Sequence, residues 1–458
     1  MRNVLPVSLA ARAVPLLLVS VLSASCSRNP PERPGGGGAG GHPATGGAGG
    51  HPATSGATQG STHGSGTAGE AATDAGVPVD AGPDVAAPPG DSAWKAAGWL
   101  DGCQVDVADE PKKALPPLRW EPCPGGAPGC TSLAVDWDHD KYPRTASPSV
   151  VRWGDGYRVG LVLQRLGDQR AGVYDADGTP LAAWRSKDYC LLTVPEVGHE
   201  RVWLGAQRVG VDAIASAYLV SGYDELASAS QPIPVDVSNR GLTASDDTLV
   251  LSGPDVGAIT IYDRISNKAR EFGPRSGDGA PSIDRMHPVG DSAVGLAFFE
   301  DRTTEGWIWN RKAHSIEPLH RAESPRILVD FTSDGQTLVW LEASPVSDDG
   351  LHGPSTLWTS PFAAAKADLA PTPRRPGPVI GYPISAVGEG FYAVYAIGEK
   401  AIHVYRLSDA HHWSFKTPPE VFDLQDIAHV DSREVWVWVR GGIVRQAISE
   451  LGAGDPAP

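Results

Sequence analysis

The chain of 458 residues lacks the short signatures by which many enzymes declare themselves. It has no GxSxG, no HExxH, no P-loop and no GxGxxG following a strand, which removes the familiar serine-hydrolase, zinc-protease and nucleotide-binding patterns. It is short of positive charge, with 38 Lys and Arg against 54 Asp and Glu and a formal net charge of -16. Without clustered cations a phosphate backbone cannot be neutralised, so nucleic acid is not expected as a partner. The acidic excess serves solubility and names no positive partner. Cysteine is scarce, five residues with no CxxC, so the usual zinc spacing is missing. Helical periodicity is nearly absent. The apolar run Ala13 to Leu22 is too short to cross a bilayer as a helix. No cofactor is expected.

The N-terminus reads as an address. In MRNVLPVSLAARAVPLLLVSVLSASC, Arg2 and Arg12 provide a positive start, the apolar run follows, and Ser23-Ala24-Ser25 forms a small-residue cleavage site. Residues 1–25 are thus a signal peptide. The segment resembles a bacterial lipoprotein signal, which implies lipid on Cys26, a membrane partner through that anchor, and, with Ser27 next, outer-membrane or cell-surface placement. Ser23 stands where the usual lipobox has Leu. Plain export, periplasmic or secreted, is the alternative.

Residues 26–92 are expected to be a disordered tether. GGAGGHPAT occurs at 37–45 and again at 46–54, followed by Ser, Thr, Gly, Ala and Pro with few large apolar residues. Such a segment cannot bury enough surface to offset its ordering entropy. Its flexible-chain reach is about 45 Å. His42, His51 and His63 lack the clustering of a metal site.

Beyond the tether the sequence repeats. A polar turn followed by an apolar alternation recurs as RWGDGYRVGLVL, EVGHERVWLGA, ASDDTLVLSG, PVGDSAVGLAFF, TSDGQTLVWLEA, VGEGFYAVYAI and VDSREVWVWV. Turn markers Gly154, Gly198, Asp246, Gly290, Asp334, Gly388 and Asp431 are spaced by about 44, 48, 44, 44, 54 and 43 residues. Further strand signals, such as ITIYDRISNKAREF and GWIWNRKAHSIEPL, follow most markers. Four short strands per period predict an all-β fold, a seven-bladed β-propeller of four-stranded blades over residues 140–452. The stretch FTSDGQTLVWL, 331–341, resembles the WD40-like repeat of the TolB family. The resemblance implies the fold and no activity, because the matching residues build a turn. In the longest period, SPVSDDGLHGPST inserts a polar loop, which makes Asp348, Asp349 and His352 the binding-loop candidates.

The last period lacks an outermost strand, while LRWEPC and CTSLAVDW in residues 93–139 are strand-like and unassigned. One of them is expected to complete the last blade and lock the ring. Four cysteines remain after Cys26, an even number that reads as disulfides in an exported chain and allows three pairings. Cys123 and Cys130 flank a tight turn and can clip a hairpin, leaving Cys103 for Cys190.

Chemistry is thinly marked. Asp136, Asp138 and Asp140 share a strand face and are weak candidates for a metal. Asp175-Ala176-Asp177-Gly178 begins like an EF-hand loop but lacks the later ligands, so a β-turn is the better account. His411 and His412 point to opposite sides if extended. Most of the 14 Trp lie on alternating strands and are expected between blades. No catalytic residue is assigned. The expected role is a non-enzymatic binding module at the cell envelope, with a protein or glycan partner. The alternative is a hydrolase or lyase with its site at the central channel.

Overall fold

The computed structural model describes Ala11–Arg12, residues 93–134 and residues 148–456, apart from 101–102, 164–168, 187–189, 194, 199, 209–213, 222–232, 239–241, 253–257, 274–280, 300, 346–351, 382–383, 417–423 and 440–441. The expected tether, residues 26–92, lies outside the described residues. No helix among them is long and apolar enough to cross a membrane.

The chain forms an all-β propeller. Its strands gather in consecutive antiparallel sheets, each with one of the turn markers at or beside the turn between its first and second strands. The sheet built from Ile327–Ser333, Thr337–Ala343, Ser355–Pro361 and Thr372–Gly377 shows the local logic. In the first turn, Asp334 Oδ1 accepts hydrogen bonds from the amides of Gln336 at 2.9 Å and Thr337 at 2.8 Å. Gly335 takes φ +89°, which disfavours any side chain. The strand that follows buries Leu338, Val339, Trp340 and Leu341 in succession rather than alternately. Both faces of a blade are covered by its neighbours, so its middle strands are apolar throughout. Outer strands meet solvent, and Lys268–Phe272 is largely exposed.

Polar bonds and apolar packing join the sheets in sequence order. Ser149 Oγ bonds Glu196 Oε2 at 3.2 Å, Trp203 Nε1 donates to Ser245 O at 2.7 Å, and Thr243 Oγ1 to Met286 O at 3.3 Å. Thr304 Oγ1 donates to Leu328 O at 2.7 Å, and Tyr392 to Asp330 at 2.6 Å. Ala386, Ile402 and Val404 share a core with Ile427, Val435 and Val437. The last sheet then meets the first, where Tyr157 donates to Asp431 at 2.8 Å. Contacts that return to their starting point define a ring. Trp203, Trp309, Trp340 and Trp436, all fully buried, fill wedges between successive sheets.

The expectation of seven blades is corrected to six. Five sheets carry a meander of four consecutive strands and the last has three consecutive strands completed by Cys130–Ala134, whereas the sheet around Arg201–Arg208 is irregular. Its inner position is divided between Cys190–Leu192 and Glu196–Val197, both paired with Arg201–Arg208. Pro195 stands between the two pieces and has no amide to give the ladder. Its next strands, Ile214–Ser221 and Ile233–Ser238, pair with a register shift.

Residues 93–134 are woven into two sheets. The hairpin Trp94–Leu100 and Cys103–Ala108 adds to the outer edge of the first sheet, with Val105 opposite Ser186. After the single turn Pro111–Ala114, the hairpin Trp120–Pro122 and Cys130–Ala134 adds to the last sheet, with Leu133 opposite Ile443. Leu115, Leu118 and Leu133 share one core with Leu161 and Tyr174 of the first sheet and Trp436 and Ile443 of the last. The segment therefore holds both sides of the seam where the ring closes. One close contact is at Gly178, whose carbonyl accepts from the Leu118 amide at 2.8 Å. Gly178 has φ +87°, and a Cβ there would lie 2.4 Å from Leu118 O. Gly178→Ala is expected to cost about 2–3 kcal/mol, from the left-handed backbone and the clash together, measured as a lower urea midpoint with unchanged slope.

Ala11–Arg12 pairs antiparallel with Ala386–Val387.

Candidate functional site at the turn mouth

Ionisable side chains from three sheets meet beside the turns that link first and second strands. Arg152 comes from Ser149–Trp153 in the first sheet and forms an ion pair with Glu389, which lies in the turn after Ser385–Gly388. Each is about a quarter exposed, at 25% and 24%. Glu389 has φ +47°, a left-handed backbone that a side chain disfavours, next to Gly390 at φ +78°. Behind this pair lies Asp431, fully buried, in the turn of the last sheet.

Asp431 has no acceptor capacity to spare. Oδ1 accepts from the amides of Arg433 at 2.7 Å and Glu434 at 2.9 Å. Oδ2 accepts from Tyr157 at 2.8 Å and faces His429 Nε2 at 3.3 Å. Burial pushes its carboxyl up, but the bond and charge of His429 and the two amides outweigh burial and hold it well below the usual carboxylate range. Burial, then Asp431 and Glu434, push the Tyr157 phenol far above its ordinary value. Burial raises Glu434 as well. Arg445 lies between Trp120 at 4.1 Å and Trp436 at 5.3 Å, and burial lowers its pKa. A general base needs a free lone pair and a route to substrate. Asp431 has neither, so its work is to join sheets. Arg152 and Glu389 form an ion pair of this cluster that reaches the surface.

The sequence-derived candidates lie elsewhere or outside the described residues. Asp136, Asp138, Asp140, Asp348, Asp349 and Cys26 are outside them. His352 is described: its amide donates to Ile380 O at 2.8 Å and Nδ1 lies 3.3 Å from Ser344 O. Burial lowers its pKa, and these contacts anchor the end of the inserted loop. Among the described residues, no group of three or more His, Cys, Asp or Glu is arranged to hold a metal. Asp175 Oδ1 accepts from the amides of Asp177 at 3.0 Å and Thr179 at 2.8 Å, as a β-turn requires. Cys123 and Cys130 form a disulfide across the closing hairpin, and Cys190 is disulfide-bonded.

Sequence reasoning missed Arg152, Tyr157, Glu389 and His429. One signal was available. Tyr157 and Tyr392 each stand second in the strand after a turn, and both donate to an Asp of the preceding sheet.

No family model and no curated protein matches the chain. Among solved structures it is similar to the β-propeller domain of the Trilobed protease from Pyrococcus furiosus, at 12% identity and TM-score 0.39 over 67% of this chain and 93% of that one. TolB from Acinetobacter baumannii matches at 10% identity and TM-score 0.32, over 67% of this chain and 66% of that one. The dihydro-heme d1 dehydrogenase NirN matches at 13% identity and TM-score 0.39, over 75% and 72%. Likeness at this level adds nothing to what the sheets themselves establish.

Proposed function

We propose that this chain is an exported, lipid-anchored β-propeller acting as a binding module at a bacterial cell envelope, with a protein or glycan as partner and no reaction of its own. The observation that carries the reading is the saturated Asp431: buried ionisable groups at the mouth bond one another and make a rigid scaffold. Rigid scaffolds present loops, and loops are where binding concentrates. The Cys123–Cys130 bond supports export, because disulfides persist in oxidising compartments. Cleavage before Cys26 would remove the Ala11–Arg12 strand, so that pairing belongs to the precursor. The second reading, a hydrolase or lyase at the channel, is favoured by the Arg152–Glu389 pair, which joins two sheets and stays partly open.

The test is intact mass and fractionation of the native protein, followed by crosslinking. A mass gain of an acylated Cys26 in the membrane fraction, with a crosslinked partner, supports the module. An unlipidated soluble chain removes the anchor and turns the search to the channel and its Arg152–Glu389 pair. Peptide mapping without reductant is expected to recover Cys103 joined to Cys190. The strand from Cys103 pairs at Val105 with Ser186, whose Oγ donates to Cys190 O at 2.7 Å. Recovery of Cys103 as a free thiol would refute that pairing.

A further inference from the structure

Residues near the C-terminal end of the chain dock on the outer hairpin of the preceding blade. That hairpin comprises Ala401–Arg406 and His412–Lys416. The His412 amide donates to Asp455 O at 2.9 Å, and the Asp455 amide donates back to His412 O at 2.7 Å. Trp413 Nε1 donates to Gly452 O at 3.3 Å, and His411 Nε2 lies 2.6 Å from Ala453 O. A Cβ on Gly454 would lie 2.7 Å from His411 Nε2, so the fit is close.

Beneath this contact, His403 Nδ1 meets His412 Nε2 at 2.9 Å. The outer nitrogens face carboxylates: His403 Nε2 lies 3.1 Å from Glu399 Oε2 and His412 Nδ1 lies 3.5 Å from Asp455 Oδ2. Two imidazoles can share a hydrogen bond only while one facing nitrogen is bare. One added proton is tolerated, since an outer nitrogen can donate it to a carboxylate. A second puts N–H against N–H and two positive charges in rings 5.1 Å apart. We propose that the His403–His412 pair is a proton-operated latch, holding residues 452–455 on the blade when it carries at most one extra proton and releasing them when it carries two.

The surroundings agree in sign. Tyr405 stacks on His412 with ring centroids 4.9 Å apart. From the neighbouring blade, Arg375 donates to Ala410 O at 3.1 Å and opposes further positive charge. Arg406 and Asp409 neutralise each other at the hairpin tip. Burial, then Arg375 and His403, lower His412 to about 4 against the opposing pull of Asp455. Burial also lowers His403, against Glu399. A histidine depressed in the docked state favours docking fully above its free value near 6.5. That preference is lost as pH falls from there towards about 4.

Hydrogen exchange of the full chain between pH 7.5 and 4, corrected for intrinsic rates, tests the latch. Protection of the Asp455 and His412 amides is expected to fall roughly ten- to a hundred-fold while Thr337–Ala343 stays protected, and His403→Gln is expected to flatten the dependence. Unchanged protection overturns the proposal. So does a His403→Gln variant that titrates like the parent, or simultaneous opening of Thr337–Ala343, which would make the change global.

Discussion

Asp431→Ala is expected to lower stability by about 3–5 kcal/mol, read as a urea midpoint falling with little change in slope. The substitution strands the buried Tyr157 hydroxyl and His429 ring and removes the acceptor of the part-buried amides of Arg433 and Glu434. Each buried donor left without a partner costs about 1–3 kcal/mol. Tyr157→Phe removes only one donor from a carboxylate that keeps three others, so about 1–2 kcal/mol is expected. The order of the two variants is the sharp part: Tyr157→Phe costing as much as Asp431→Ala would show that Asp431 is not the hub. The pH dependence follows from the depressed carboxyl. Its contribution is present above the unfolded carboxylate value near 3.9 and is lost as pH falls through the still lower folded value. The difference between parent and Asp431→Ala should hold from neutral pH down to about 4 and shrink below that.

A chain begun at residue 93 is expected to melt cooperatively, whereas one begun at residue 140 should aggregate and show no cooperative transition. The shorter chain loses Trp94, Leu115, Leu118 and Leu133, buried at the seam, and Val105 and Val107, buried between the first and second sheets. At about 1.5–3 kcal/mol each, their loss is on the order of 10 kcal/mol, comparable with the net stability of a whole domain. It also bares the edge of Gly442–Ala447, a template for pairing with another chain. Size exclusion and urea unfolding decide the matter. A monomeric, cooperative 140–458 fragment would show that the ring closes without its strap.

The fold was largely legible because its signal is local and repeated. Gly154, Gly198, Asp246, Gly290, Asp334, Gly388 and Asp431 all stand at, or one residue before, the turn between a first and second strand. A turn needs a few adjacent residues of fixed chemistry, so it survives in sequence even where strands blur. The irregular sheet was harder to see because Pro195 breaks a strand without removing the marker at Gly198. The mouth cluster was not legible, since Arg152 and Glu389 are 237 positions apart and only the closed ring brings them together. The His403–His412 pair was hidden for a different reason. In an antiparallel hairpin Tyr405 is the register partner of His412, and His403 reaches it from two residues along the same strand face. Adjacent histidines drew the eye to His411 and His412, which serve different partners.

The strap has a consequence for the order of assembly. Cys130 pairs with Gln446, so one of the earliest strands of the ring waits for one of the last. Closing so long a loop raises the entropic cost only logarithmically, but contacts this distant form late and slowly. Until then the last sheet has an open flank and the hairpin of Trp120–Pro122 and Cys130–Ala134 has no mate. The vulnerable interval in the life of this molecule is therefore its biogenesis, when a partner that shields a bare strand edge would matter most.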